Sequence, residues 1–181
     1  MNGTVGLEAR LERLRGLVQA VPDFPKPGIL FRDITPVLAD PAAFADAIAG
    51  MAAPFRDAGI DAVVGIESRG FVFGAPLALQ LGAGFIPVRK PGKLPRATQR
   101  VEYALEYGSD ALEMHSDALH GKRKVLLVDD VIATGGTAKA SVELIRRQGA
   151  EVVAAAFFVE LTFLKGREQL PKIRLESLLS Y

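Results

Sequence analysis

Three times in this sequence an apolar run gives way to a short turn or loop, twice followed at once by a helical pattern, and that alternation limits the fold more than any other feature. The segments are "IDAVVGI", "ESRG" and "FVFGAPLALQLG"; "GFIPVRK" and a long basic loop; and "KVLLVDDVI", "ATGG" and "TAKASVELIRRQG", before a last run "EVVAAAFFVEL". Runs that are apolar on both faces suit the buried strands of a parallel sheet covered by helices. Strands alternating with helices predict an α/β fold. The 181 residues contain no break in composition and suffice for one sizeable core, so a single domain over 1–181 is expected.

The flanking segments follow other periods. Leu7, Leu11, Leu14, Leu17 and Val21 recur at three- and four-residue steps, predicting a first helix whose apolar stripe packs on the domain. "PDFPKPGILFRDITP" is broken by prolines at 22, 25, 27 and 36, and only its run "ILF" could form an edge strand. Asp40 before Pro41 predicts an N-cap, with a helix continuing to Gly59 and kinked or split by Pro54. In "VEYALEYG", Val101, Tyr103, Leu105 and Tyr107 alternate with Glu102, Ala104 and Glu106. That is the period of a half-exposed strand, placed here in an antiparallel ribbon with "ALEMH" near the sheet edge.

Composition narrows the function classes. The chain is 49% hydrophobic and 24% charged, far from the signature of disorder. No window approaches the ~18 apolar residues that span a bilayer, and charges interrupt the N-terminal segment, so neither a membrane span nor a signal peptide is expected. The absence of cysteine removes disulfides, thiolate metal sites and a cysteine nucleophile, and favours a cytoplasmic location. A net charge of +1 argues against nucleic acid as a partner. Yet Ser68 to Val101 holds Arg69, Arg89, Lys90, Lys93, Arg96 and Arg100 and no acid, which fits either a site for a compact polyanion or a solvated loop of chance composition.

In open parallel sheets, ligands sit beyond the carboxyl ends of the strands, so the loops "ESRG" and "DDVIATGGT" face one crevice. Thr134, Gly135, Gly136 and Thr137 open a helix with unhindered N–H groups, hydroxyls and the positive end of its dipole. This suits a phosphate, although a threonine-capped helix start without a ligand has the same sequence. Asp129 and Asp130 stand just before it. They either cap the next turn or pair with a lysine, or accept hydrogen bonds from sugar hydroxyls and favour positive charge on a ribose ring. Gly65 and Gly70 have Walker spacing, but Phe71 and Val72 replace the lysine and hydroxyl, so no nucleoside-triphosphatase loop is present. A dinucleotide fingerprint and a histidine–carboxylate zinc spacing are likewise missing.

"VLLVDDVIATGGT" resembles the phosphoribosyl-pyrophosphate (PRPP) signature of type I phosphoribosyltransferases. "FPKPGILFRDITPVLADP", "ESRGFVFGAPLAL", "VRKPGKLP", "LEYG" and "VELTFLKGREQL" resemble, in order along nearly the whole chain, the adenine-specific members of that family. The resemblance implies a central, mostly parallel sheet flanked by helices, an N-terminal hood at about 22–37 and a flexible basic loop. It also implies the reaction: adenine and PRPP give AMP and pyrophosphate, with inversion at the anomeric carbon and with Mg²⁺ held mainly through the substrate. A homodimer and a role in purine salvage go with it.

Residue by residue, the resemblance assigns Ala133, Thr134, Gly135, Gly136 and Thr137 to the ribose 5-phosphate, and Asp129 and Asp130 to the ribose hydroxyls. Glu67, Ser68, Arg69 and Gly70 match the pyrophosphate loop, with a non-proline cis peptide expected at Glu67–Ser68. Arg89, Lys90 and Lys93 match the mobile basic loop and its flank. Phe31 would stack on adenine, the backbone of Leu30 and Arg32 would read its edge, and Glu106 would assist proton transfer near N7, with Arg69 the second catalytic group. Two other readings stand beside this one: transfer to hypoxanthine, guanine, xanthine or orotate, and a non-catalytic PRPP-sensing regulator. The latter needs a nucleic-acid surface, and no helix-turn-helix pattern supplies one.

Overall fold

The computed structural model of the chain describes residues 2–104 and 109–181, which divide into two compact units, Met1–Gly50 and Met51–Tyr181.

In the first unit, α1 (Asn2–Leu17) precedes a two-stranded antiparallel ribbon of β1 (Gln19–Pro22) and β2 (Leu30–Asp33). The apolar stripe ends sooner than its spacing predicts: Val21 belongs to β1, opposite Phe31, and Leu7 is exposed while Leu14 is buried. The Arg13 guanidinium ties α1 to Asp46 at 2.9 Å. Leu30 and Phe31 of the run "ILF" enter a strand as expected, while Ile29 lies just before it. Beyond it, Asp33 accepts from the Thr35 N–H and hydroxyl, where α2 (Thr35–Ala39) starts. Asp40 then caps α3 (Pro41–Ala52), accepting from the N–H groups of Ala42 and Ala43 at 2.9 Å. Proline lacks the N–H that would continue the helix. Accordingly α3 stops at Ala52, and a 3₁₀ turn, Ala53–Phe55, carries Pro54.

The second unit is built on a parallel five-stranded sheet. Its strands are β3 (Ala62–Ile66), β4 (Gly84–Val88), β7 (Lys124–Ile132), β8 (Glu151–Glu160) and β9 (Arg174–Ser180), in the order β4-β3-β7-β8-β9. β3 is buried throughout, as a strand covered on both faces must be. On one side α4 (Arg69–Leu81) sets Phe73 flat against Phe158, with ring centroids 5.1 Å apart. On the other, α5 (Gly136–Arg147) buries Ala138, Val142 and Ile145, as its spacing predicts.

An antiparallel ribbon, β5 (Thr98–Ala104) with β6 (Ser109–His115), joins the sheet edge through mutual backbone bonds between Arg89 and Glu113. Val101, Leu112 and Met114 enter the same core cluster as α5, while Glu102 is exposed. The half-exposed strand is therefore present. β9 has no counterpart among the expected strands.

Candidate functional site

The carboxyl ends of β3 and β7 bring together the two loops singled out by sequence. At β7, residues 131–138 with Asp129 and Phe157 line a hollow of about 100 Å³. Ala133 to Thr137 form its wall, and α5 begins there. Gly135 holds φ +82°, a left-handed conformation open chiefly to glycine, and no side chain caps the helix start. The first-turn N–H groups are presented by a wall almost bare of side chains, the arrangement that receives phosphate.

Asp129 and Asp130 divide their roles. Asp130 is only 4% exposed and meets the Arg69 Nε at 2.8 Å. Asp129 is half-buried, and its Oδ1 accepts from the Asp130 N–H at 2.9 Å. Burial and then the adjacent Asp130 charge raise the Asp129 pKa well above that of an ordinary carboxyl. Gly70, at the start of α4, lies against this strand: a Cβ there would fall 2.9 Å from both the Asp129 Oδ1 and the Val128 carbonyl oxygen. Gly70 thus seats α4 on β7 and holds Arg69 over Asp130.

The Glu67–Ser68 peptide is cis, as expected. Glu67 gathers the basic segment: its carboxylate accepts from the Arg89 Nε at 3.1 Å, the Lys90 N–H at 3.0 Å and the Lys93 ammonium. Desolvation raises the Glu67 pKa, but Lys93, the Lys90 N–H and Arg89 together outweigh it and leave the pKa lowered. The Lys90 ammonium reaches Asp110 as well, near the Tyr103 hydroxyl. Arg69, Arg89, Lys90 and Lys93 therefore gather at one end of the sheet, each against a carboxylate.

Leu30, Phe31 and Arg32 lie on β2 in the first unit, where the Phe31 ring meets Phe24 edge-on at 5.1 Å. Glu106 lies outside the described residues. Sequence reasoning missed Tyr103 and Asp110, which lie beside Thr137 and Lys90: the Thr137 hydroxyl is 3.5 Å from the Tyr103 hydroxyl. It also gave no role to Gly166 and Arg167, although "VELTFLKGREQL" contains both. Among the described residues no group of three or more histidine, aspartate or glutamate side chains could hold a metal ion, and no helix is long and apolar enough to cross a membrane.

Comparison with known proteins narrows the chemistry. Residues 37–175 match the family described as phosphoribosyl transferase domain. The adenine phosphoribosyltransferase of Acidobacterium capsulatum is 56% identical over 170 residues, 94% of each chain. The solved adenine phosphoribosyltransferase of Rhodothermus marinus superposes with a TM-score of 0.91 at 52% identity, covering 96% of this chain and 99% of that one. The Saccharomyces cerevisiae enzyme, solved with D-2,5-dideoxy-2,5-imino-altritol 1,6-bisphosphate and adenine, gives 0.90 at 41% identity, covering 95% and 99%.

Proposed function

The chain belongs to the phosphoribosyl transferase family, and from that premise we infer that it is an adenine phosphoribosyltransferase, a pentosyltransferase that moves the phosphoribosyl group of PRPP onto adenine to give AMP and pyrophosphate. The observation that carries this reading is the placement of two carboxylates immediately before a helix-start anion cradle. A ligand with a phosphate at one end and a diol in the middle satisfies both. That the yeast relative was solved with an imino-altritol bisphosphate and adenine supports a site that takes a phosphorylated sugar-like ligand beside the base.

In this reading Ala133 to Thr137 take the 5-phosphate, and Asp129 and Asp130 take the ribose hydroxyls. The negative charge of Asp130, nearly dry and next to the sugar, favours a ribose ring that becomes cationic as the glycosidic bond breaks. Glu67, Ser68, Arg69 and Gly70 shape the pyrophosphate subsite. Arg69, Arg89, Lys90 and Lys93 neutralise the leaving group there, exchanging a carboxylate partner for pyrophosphate oxygens. Leu30, Phe31 and Arg32 recognise adenine, and Glu106 takes up the proton as the base bonds to the anomeric carbon.

Mg²⁺ fits the donor set: Asp129 offers hard carboxylate oxygen at the hollow, few other protein ligands are near, and this ion commonly keeps water and substrate phosphate as its remaining ligands. When bound, it supplies charge neutralisation on the pyrophosphate. Both units together make one transferase domain, working as a homodimer in the cytoplasm on purine salvage.

Supplying PRPP and Mg²⁺ with adenine, hypoxanthine, guanine, xanthine and orotate separately tests the assignment. AMP and pyrophosphate in equal amounts with adenine, and no nucleotide from the others, is the expected result. PRPP binding without turnover on any base would instead favour the regulator.

A further inference from the structure

Side-chain bonds hold the cradle only at its helical end, where the Thr137 hydroxyl meets Tyr103 at 3.5 Å and the Ser141 hydroxyl donates to the Thr137 carbonyl at 2.9 Å. Gly135 and Gly136 carry no side chain, and the helix start has no side-chain cap. Loops of this kind are ordinarily among the mobile parts of a fold. A phosphate site nevertheless needs its N–H groups fixed to within a fraction of an ångström. The restraint lies behind the loop, in the turn between β8 and β9.

Glu160 ends β8 in register with Ile132 of β7 and is 6% exposed. Its carboxylate accepts from the Arg167 Nε at 3.0 Å, the Arg167 Nη2 at 2.6 Å and the Ser177 hydroxyl at 2.7 Å, while the Arg167 Nη1 donates to the Leu175 carbonyl at 2.9 Å. One guanidinium thus binds two strands at once, with the fixed fork geometry that lysine lacks. Arg167 sits in a 3₁₀ turn, Gly166–Gln169, entered through Lys165 at φ +54°. The first residue of that turn touches the cradle backbone to backbone. A Cβ on Gly166 would lie 2.2 Å from the Ala133 carbonyl oxygen, and one on Gly135 would lie 2.4 Å from the Gly166 carbonyl oxygen. No side chain stands between them to absorb a displacement.

We propose that Glu160 and Arg167, acting through Gly166, are positioning residues that hold the cradle of Ala133 to Thr137 in its phosphate-binding shape. The inference rests on the reading of that loop as the ribose-phosphate site. The Arg167 side chain is about half exposed but its Glu160 partner is buried, so the pair fixes the geometry of the turn as well as adding to stability.

The test measures KM for PRPP and for adenine, with the melting temperature, in Arg167→Gln, Arg167→Lys, Gly166→Ala and Thr137→Ala. Loss of a charge-assisted contact to the phosphate raises KM for PRPP about tenfold in Thr137→Ala. Gly166→Ala and Arg167→Gln are expected to raise it about as much, with adenine KM within about twofold of wild type and Arg167→Lys in between. Combining Gly166→Ala with Thr137→Ala should cost less than the product of the single effects, because a displaced loop has already lost the Thr137 contact. Unchanged PRPP KM in folded Arg167→Gln and Gly166→Ala, beside a raised value in Thr137→Ala, would overturn the inference alone. An equal rise in both substrates' KM would overturn it too, since general loosening does not distinguish the phosphate. No effect of Thr137→Ala would remove the cradle reading and the inference with it.

Discussion

At the residue scale, the site holds charge in opposed ways. Asp129 is kept above its ordinary pKa by burial and by Asp130, so the folded chain binds its proton more tightly than the unfolded chain does. Ionisation then costs stability as pH rises from about 4 upward. Asp129→Asn keeps the acceptor for the Asp130 N–H and removes that cost. The expected result at pH 7 is a melting temperature about 2–4 °C higher, with the gain fading below about pH 4. A rise in KM for PRPP should accompany it, the usual exchange of function for stability. Glu106→Gln, at the residue assigned to proton uptake, is expected to lower kcat more than it raises KM for adenine; a change in KM alone would make Glu106 a binding residue.

At the element scale, legibility followed locality. The helix start at Ala133 to Thr137 could be read because strand, glycines and helix start are contiguous, so the exposed N–H groups there are a property of one short stretch. The support from Gly166 could not be read, since contact between two glycines shows no hydropathic period and depends on how β8 and β9 close. β9 escaped for a related reason: Arg174 and Glu176 interrupt its apolar residues, as an edge strand permits. Val21 extended the helical stripe by coincidence of spacing, and the turn into β1 overrode it. The β8–β9 joint also carries a pH signature. Glu160 has a lowered pKa, chiefly from its hydrogen bonds with Arg167, so its contribution is present above the unfolded value and lost as pH falls through the folded one. Glu160→Gln should lower the melting temperature by about 2–4 °C at pH 7, and the difference from wild type should close below about pH 4 in a thermal series. A gap that persists in acid would show that shape, not charge, holds the joint.

At the scale of the whole molecule, a sheet buried on both faces gathers at its carboxyl end groups that would repel one another in a single short loop. In the proposed reading, carboxylates and anion donors would be separated along the length of one ligand. In the proposed division, the cradle takes the phosphate that stays with the nucleotide, and the arginine over Asp130 takes the phosphates that leave. The reverse reaction, AMP and pyrophosphate giving PRPP and adenine, reads both halves in one assay. Thr137→Ala is predicted to raise KM for AMP about tenfold with pyrophosphate little changed, and Arg69→Ala to raise KM for pyrophosphate about as much with AMP little changed. Both variants raising both constants alike would contradict it.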